Sequence, residues 1–160
     1  MSRLLRAINW RFTLTLSLLV LSVLIVLNFY GLYTARFYFL KVDNYIVPLL
    51  GILHFKYMYT LWLKIREKGY PDTQIRNLEY GLYPVILVYA YKASDTAYMI
   101  STASGYDEAL LPQNFMPMAI TILGLQITLV LLTVLSFSHR KKTVGVYNFD
   151  KINENINSRQ

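Results

Sequence analysis

Cysteine is absent from this 160-residue chain. Disulfides, thiolate-bound zinc, iron–sulfur clusters, thiol catalysis and S-palmitoylation are therefore excluded. Histidine is nearly as scarce: His54 and His139 are the only two. His54 falls within an apolar run and His139 beyond one, so a bis-histidine haem or metal site within one chain is not expected. No Asn-x-Ser/Thr acceptor occurs, and N-glycosylation is not indicated. Acidic residues number 9 against 16 Lys and Arg. The one adjacent acidic pair, Asp107 and Glu108, would diverge on a helix, so it reads as a solvated loop rather than paired-carboxylate catalysis. No phosphate-cradling glycine loop and no Ser/His/Asp arrangement stands out. Neither a catalytic residue nor a metal ligand is assigned, and no cofactor is identified.

What the chain has is apolar length. It is 55% apolar with a mean hydropathy of +0.36, too apolar for an ordinary soluble domain of this size. Four hydrophobic segments, at about 12–33, 45–63, 80–102 and 115–137, are each long enough to cross roughly 30 Å of hydrocarbon at about 1.5 Å per residue. The expected architecture is all-α: a polytopic membrane protein with four transmembrane helices in residues 1–137. A basic, polar tail expected to be disordered follows over 138–160. The tails and loops leave no room for a soluble catalytic domain. The first segment follows Arg3 and Arg6, as a signal peptide would, but its apolar stretch is too long and no clear cleavage site follows.

The third segment is the weakest. Its second half reads Lys92-Ala93-Ser94-Asp95-Thr96, and a central Lys or Asp each costs about 2.5–3.5 kcal/mol on an insertion scale. The distribution of charge argues for it nonetheless. Arg3, Arg6 and Arg11 precede the first segment. Lys64, Arg66, Lys68 and Arg76 lie between the second and third, and Arg140, Lys141 and Lys142 follow the fourth. The stretch 103–114 has no Lys or Arg. Four crossings place the three basic stretches on one side, as the positive-inside rule asks. Both termini are thus expected on the inner side, which is the cytoplasm or, in an organelle, the matrix. Trp10, Trp62, Tyr80 and Tyr83 near one end, and Phe29 to Phe39 near the other, suit two interfacial aromatic belts. The net charge of +7 then serves orientation and contact with anionic headgroups, and no nucleic acid partner is expected.

Four polar residues inside the segments form the candidate intramembrane cluster: His54, Lys56, Lys92 and Asp95. Lys92 and Asp95 share a helical face, which makes them natural ion-pair partners. If segments two and three form a hairpin centred near residue 72, His54 lies at the level of Tyr91, and Lys56 comes within reach of Asp95. Such a cluster either holds helices in register or serves as a proton, ion or anionic-substrate site. Gly124 and Gln126 in the fourth segment suit helix–helix contact. The leading expectation is a non-catalytic accessory, assembly or structural subunit, partnered by the lipid bilayer and by other membrane subunits or its own copies. The alternatives are a small oligomeric transporter or channel-like protein with its charged site on segments two and three, and a membrane enzyme acting on lipid or quinone.

Overall fold

A computed structural model describes residues 9–103, 105 and 111–147. Four helices account for most of them: α1 Trp10–Leu27, α2 Ile46–Arg66, α3 Thr73–Ala103 and α4 Phe115–Thr143. Each helix packs against its neighbour in sequence, and α1 closes the ring against α4. The contacts are antiparallel. The start of α1 meets the end of α4 through Thr13 and His139, and the start of α3 meets the same end through Glu79 and Arg140. The core is a continuous apolar seam that includes Leu21, Leu61, Ile75, Leu82 and Leu129.

Three segments are helical and apolar enough to cross a membrane: Trp10–Leu27, Val42–Arg66 and Phe115–Thr143. Helix α3 is long, about 46 Å for its 31 residues, but its charges keep it out of that class. The ends of the helices differ from the expected segments. Helix α1 stops at Leu27 because the aromatic residues after it form a hairpin, with Tyr30 paired to Phe37 and Gly31 to Arg36. Ala35 takes a positive φ of 52° in its turn. Ring contacts among Phe29, Phe39 and Tyr45 seat this hairpin against the start of α2. Asn28 donates its amide hydrogen to the Asn44 carbonyl, joining the end of α1 to the 3-10 turn Val42–Tyr45 that leads into α2.

Helix α3 begins at Thr73, well before the expected residue 80, because Asp72 caps it. Its carboxylate accepts from the Ile75 amide at 3.0 Å and lies 2.8 Å from the Lys64 ammonium. Partial burial raises the Asp72 pKa, but these hydrogen bonds outweigh it and hold the carboxyl below its ordinary value. A carboxyl lowered on folding contributes stability at neutral pH that is lost as pH falls through the lowered value. Asp72→Ala is expected to destabilise the fold by about 1 kcal/mol. The difference between parent and variant melting temperatures in detergent should shrink in acid; an equal difference at every pH would refute the capping role.

Helix α4 runs past residue 137 to Thr143 and ends on Gly145, whose φ is +111°. That conformation suits glycine and reverses the chain. The expected disordered tail therefore does not begin at 138: residues 138–143 are helical, and Val144 and Tyr147 pack on the core. Residues 148–160 lie outside the described residues.

Close packing between helices falls at other glycines than the expected one. A Cβ on Gly51 would sit 3.0 Å from Ile25 of α1, and one on Gly81 would sit 3.1 Å from Leu53 of α2. A Cβ on Gly124 would meet nothing within 4 Å among the described residues. Gly124 therefore makes no helix contact within the described fold, because it lies on the exposed face of α4.

Candidate functional site

The four expected cluster residues separate in the fold. His54 and Lys56 are two positions apart, about 200° around a helix, so they cannot both face inward. His54 is fully buried, and its Nδ1 lies 3.4 Å from the Tyr89 hydroxyl. Lys56 is exposed on the outer face of α2. The pairing of His54 with Tyr89, rather than with the level of Tyr91, places the hairpin register close to the expected one.

Lys92 and Asp95 do come together, but not as an ion pair. Among the described residues no salt bridge within 4.0 Å joins them. Both are half-buried and both line one cavity of about 440 Å³. It extends from beneath the Tyr30–Phe37 hairpin down to the level of Tyr89 and Leu129. Leu24, Val47, Ile122 and Leu129 give it apolar walls; Asn28, Lys41, Asn44 and Gln126 add polar groups. The Gln126 carbonyl oxygen is buried and has no hydrogen-bond partner among the described residues. Gln126 is among the residues that line the cavity, but this oxygen is itself inaccessible.

The strongest polar constellation lies at the opposite end and was not among the expected residues. Arg140 of α4 grips Glu79 of α3 with two bonds: Nε donates to Oε2 at 2.7 Å and Nη2 to Oε1 at 2.8 Å. Their side chains are only 7% and 4% exposed. The Tyr147 hydroxyl donates to Glu79 Oε2 at 2.7 Å, and the guanidinium carbon lies 4.1 Å from the centre of the Tyr147 ring. The Arg140 Nη1 donates to the Gly145 carbonyl at 2.8 Å. Every oxygen of the carboxylate and most of the guanidinium donors are thereby engaged, in the bidentate geometry that suits this pair. Burial, and then its bond to the Glu79 carboxylate, hold the Tyr147 hydroxyl protonated well above its ordinary range. The residue before Arg140, His139, has its Nε2 3.2 Å from Thr13 Oγ1 and ties α1 to the same end. This arrangement joins three helix ends and the residues after α4.

A signal for it was present in the sequence. Glu79 continues the inward stripe Ile75, Leu78, Leu82, and Arg140 continues Leu129, Leu132, Thr133, Ser136. A charge on an apolar stripe at helical spacing asks for a buried partner. At this same end Trp10 and Trp62 line one cleft, each carrying an arginine against its ring, Arg11 at 5.3 Å and Arg66 at 5.2 Å.

No family model matches the chain, and neither a curated protein nor a solved structure matches it.

Proposed function

We propose that this protein is a four-span integral membrane protein with both termini on the inner side, and that it serves as a non-catalytic accessory or assembly subunit bound laterally to a larger membrane complex. Support for α3 as a fourth crossing comes from where its charges go. Glu79 is buried against Arg140, and Lys92 and Asp95 turn to the cavity. Its outward face is Tyr80, Tyr83, Leu87, Tyr91 and Tyr98. Mean hydropathy counts the charges against the helix, whereas a lipid-facing surface need only be apolar on one side.

That outward face carries the functional reading. Tyr91 is 69% and Tyr98 is 67% exposed, and neither hydroxyl has a hydrogen bond among the described residues. Tyr91 lies next to the level of His54, near the middle of α2. A phenol at that depth in lipid has no water to bond, which costs about 1–3 kcal/mol by protein measurements. A neighbouring helix with an acceptor removes the cost, and tyrosine on a membrane helix face suits such a contact. The outward face of α1, by contrast, is Leu18, Leu19, Val23 and Val26, which lipid satisfies.

Tyr91→Phe with Tyr98→Phe keeps the shape of the face and removes both hydroxyls. Interhelical hydrogen bonds in membranes contribute about 0.6–2 kcal/mol each, so recovery of the partner complex from native membrane should fall severalfold. The melting temperature of the purified chain should not change. Recovery equal to that of the parent would refute the reading, as would a parent that purifies without partners. A second reading, a small oligomeric transporter, draws support from the cavity shared by Lys92 and Asp95. Lys56, however, is not on its wall, and His54 does not line it.

A further inference from the structure

The outer cavity carries an inference that is independent of the partner on α3. Two opposite charges on one wall, held apart, are unusual. An ammonium and a carboxylate one turn apart on a helix ordinarily close into a pair when water is scarce. Here they stay beyond 4.0 Å among the described residues, and the space beside them is about 440 Å³, within the range of small-molecule sites. Lys41 lines the same cavity and adds a second ammonium. Below these groups the walls are aliphatic: Leu24, Val47, Ile122 and Leu129.

We propose that this cavity binds a zwitterionic amphiphile whose ammonium is held by Asp95, whose anionic phosphate or carboxylate is held by Lys92 and Lys41, and whose apolar stem lies against the aliphatic walls. The wall carries both signs, Lys41 and Lys92 against Asp95, which neither a simple anion nor a simple cation satisfies. The ammonium carries N–H groups because the half-buried Asp95 carboxylate is an acceptor, and only a donor satisfies it. A quaternary ammonium has no donor and leaves that carboxylate without a hydrogen bond. The stem is required because Leu24, Val47, Ile122 and Leu129 leave that part of the wall aliphatic. A phosphoethanolamine headgroup on a bilayer lipid has this chemistry, and so does a soluble zwitterion without the stem.

The test uses the full chain purified in a non-ionic detergent and titrated with short-chain phosphatidylethanolamine, with binding read by native mass spectrometry. Saturable one-to-one binding is expected. The phosphatidylcholine and phosphatidic acid of the same chain length should each bind about tenfold or more weakly, the factor for losing a hydrogen bond to a charged group. Free phosphoethanolamine should bind weakly as well, and equal affinity for it would overturn the amphiphile in favour of a soluble zwitterion. Asp95→Asn should erase the preference over phosphatidic acid, and Lys92→Met should weaken all the phosphate-bearing ligands. The ligand series on the parent protein stands even if a variant fails to fold. Equal binding of all three lipids, or no saturable binding, would overturn the proposal. Loss of partner recovery in the tyrosine variants with this series intact would show that the two sites are separate.

Discussion

Glu79→Gln should lower the stability of the purified protein by about 3–5 kcal/mol, the cost of removing one partner from a buried ion pair. The loss is large because Arg140 stays where it is. Its guanidinium is buried with bonds to α3, to the Gly145 carbonyl and to the Tyr147 ring. With a neutral amide opposite, the charge has no counter-ion and one Gln nitrogen faces the Arg donors. The pair itself need not be a source of net stability. Glu79→Leu combined with Arg140→Met, which replaces both charges by apolar groups, should recover most of the loss. The measurement is thermal or denaturant unfolding in detergent for both singles and the double. Additive losses in the double variant would show that the two side chains do not act as a pair.

Gly145→Val is expected to cost about 1–3 kcal/mol, since a φ of +111° is strained for any residue with a Cβ. There is space for the Cβ itself, whose nearest atom would be Pro71 Cδ at 3.9 Å. The conformational penalty therefore arises without a clash at the Cβ. Relaxing it moves the Gly145 carbonyl away from Arg140 and lifts Tyr147 from Glu79. In a Glu79→Gln background those contacts are already impaired, so the cost of Gly145→Val should be smaller there, as for neighbours in one network. Equal costs in both backgrounds would mean that the turn after α4 is not coupled to the ion pair.

How far the sequence shows this depends on the kind of signal. The apolar runs of α1, α2 and α4 are long, and their helices lie where the runs do, to within a few residues. The ends were less legible. Tyr30 to Phe37 reads as a continuation of an apolar aromatic run, and only pairing with a returning strand distinguishes a hairpin from a longer helix. Thr73 to Glu79 reads as a polar connection, yet Asp72 caps it and Ile75 and Leu78 bury. Lys56 stands apart from His54 because two positions along a helix turn it about 200° away, an angle that separation in sequence does not convey. Lys92 and Asp95 share a face by their spacing; what the sequence does not show is the cavity they both line beneath the folded-back hairpin. The Glu79–Arg140 pair was hidden because each residue looked like part of a basic or polar flank. Of the 14 tyrosines, Tyr80, Tyr83, Tyr91 and Tyr98 lie on the exposed face of α3.

Whether α3 crosses the membrane decides the account. Because the native chain has no thiol, single cysteines can be placed at Tyr70 between α2 and α3, at Gly105 after α3, and at Val146 after α4. All three positions are exposed. Labelling with a membrane-impermeant thiol reagent, in sealed cells and again after lysis, reports the side of each. The account predicts that Gly105→Cys reacts in sealed cells, while Tyr70→Cys and Val146→Cys react only after lysis. If Gly105→Cys and Tyr70→Cys label from the same side, α3 does not cross, and the four-span protein with its charges turned inward is contradicted.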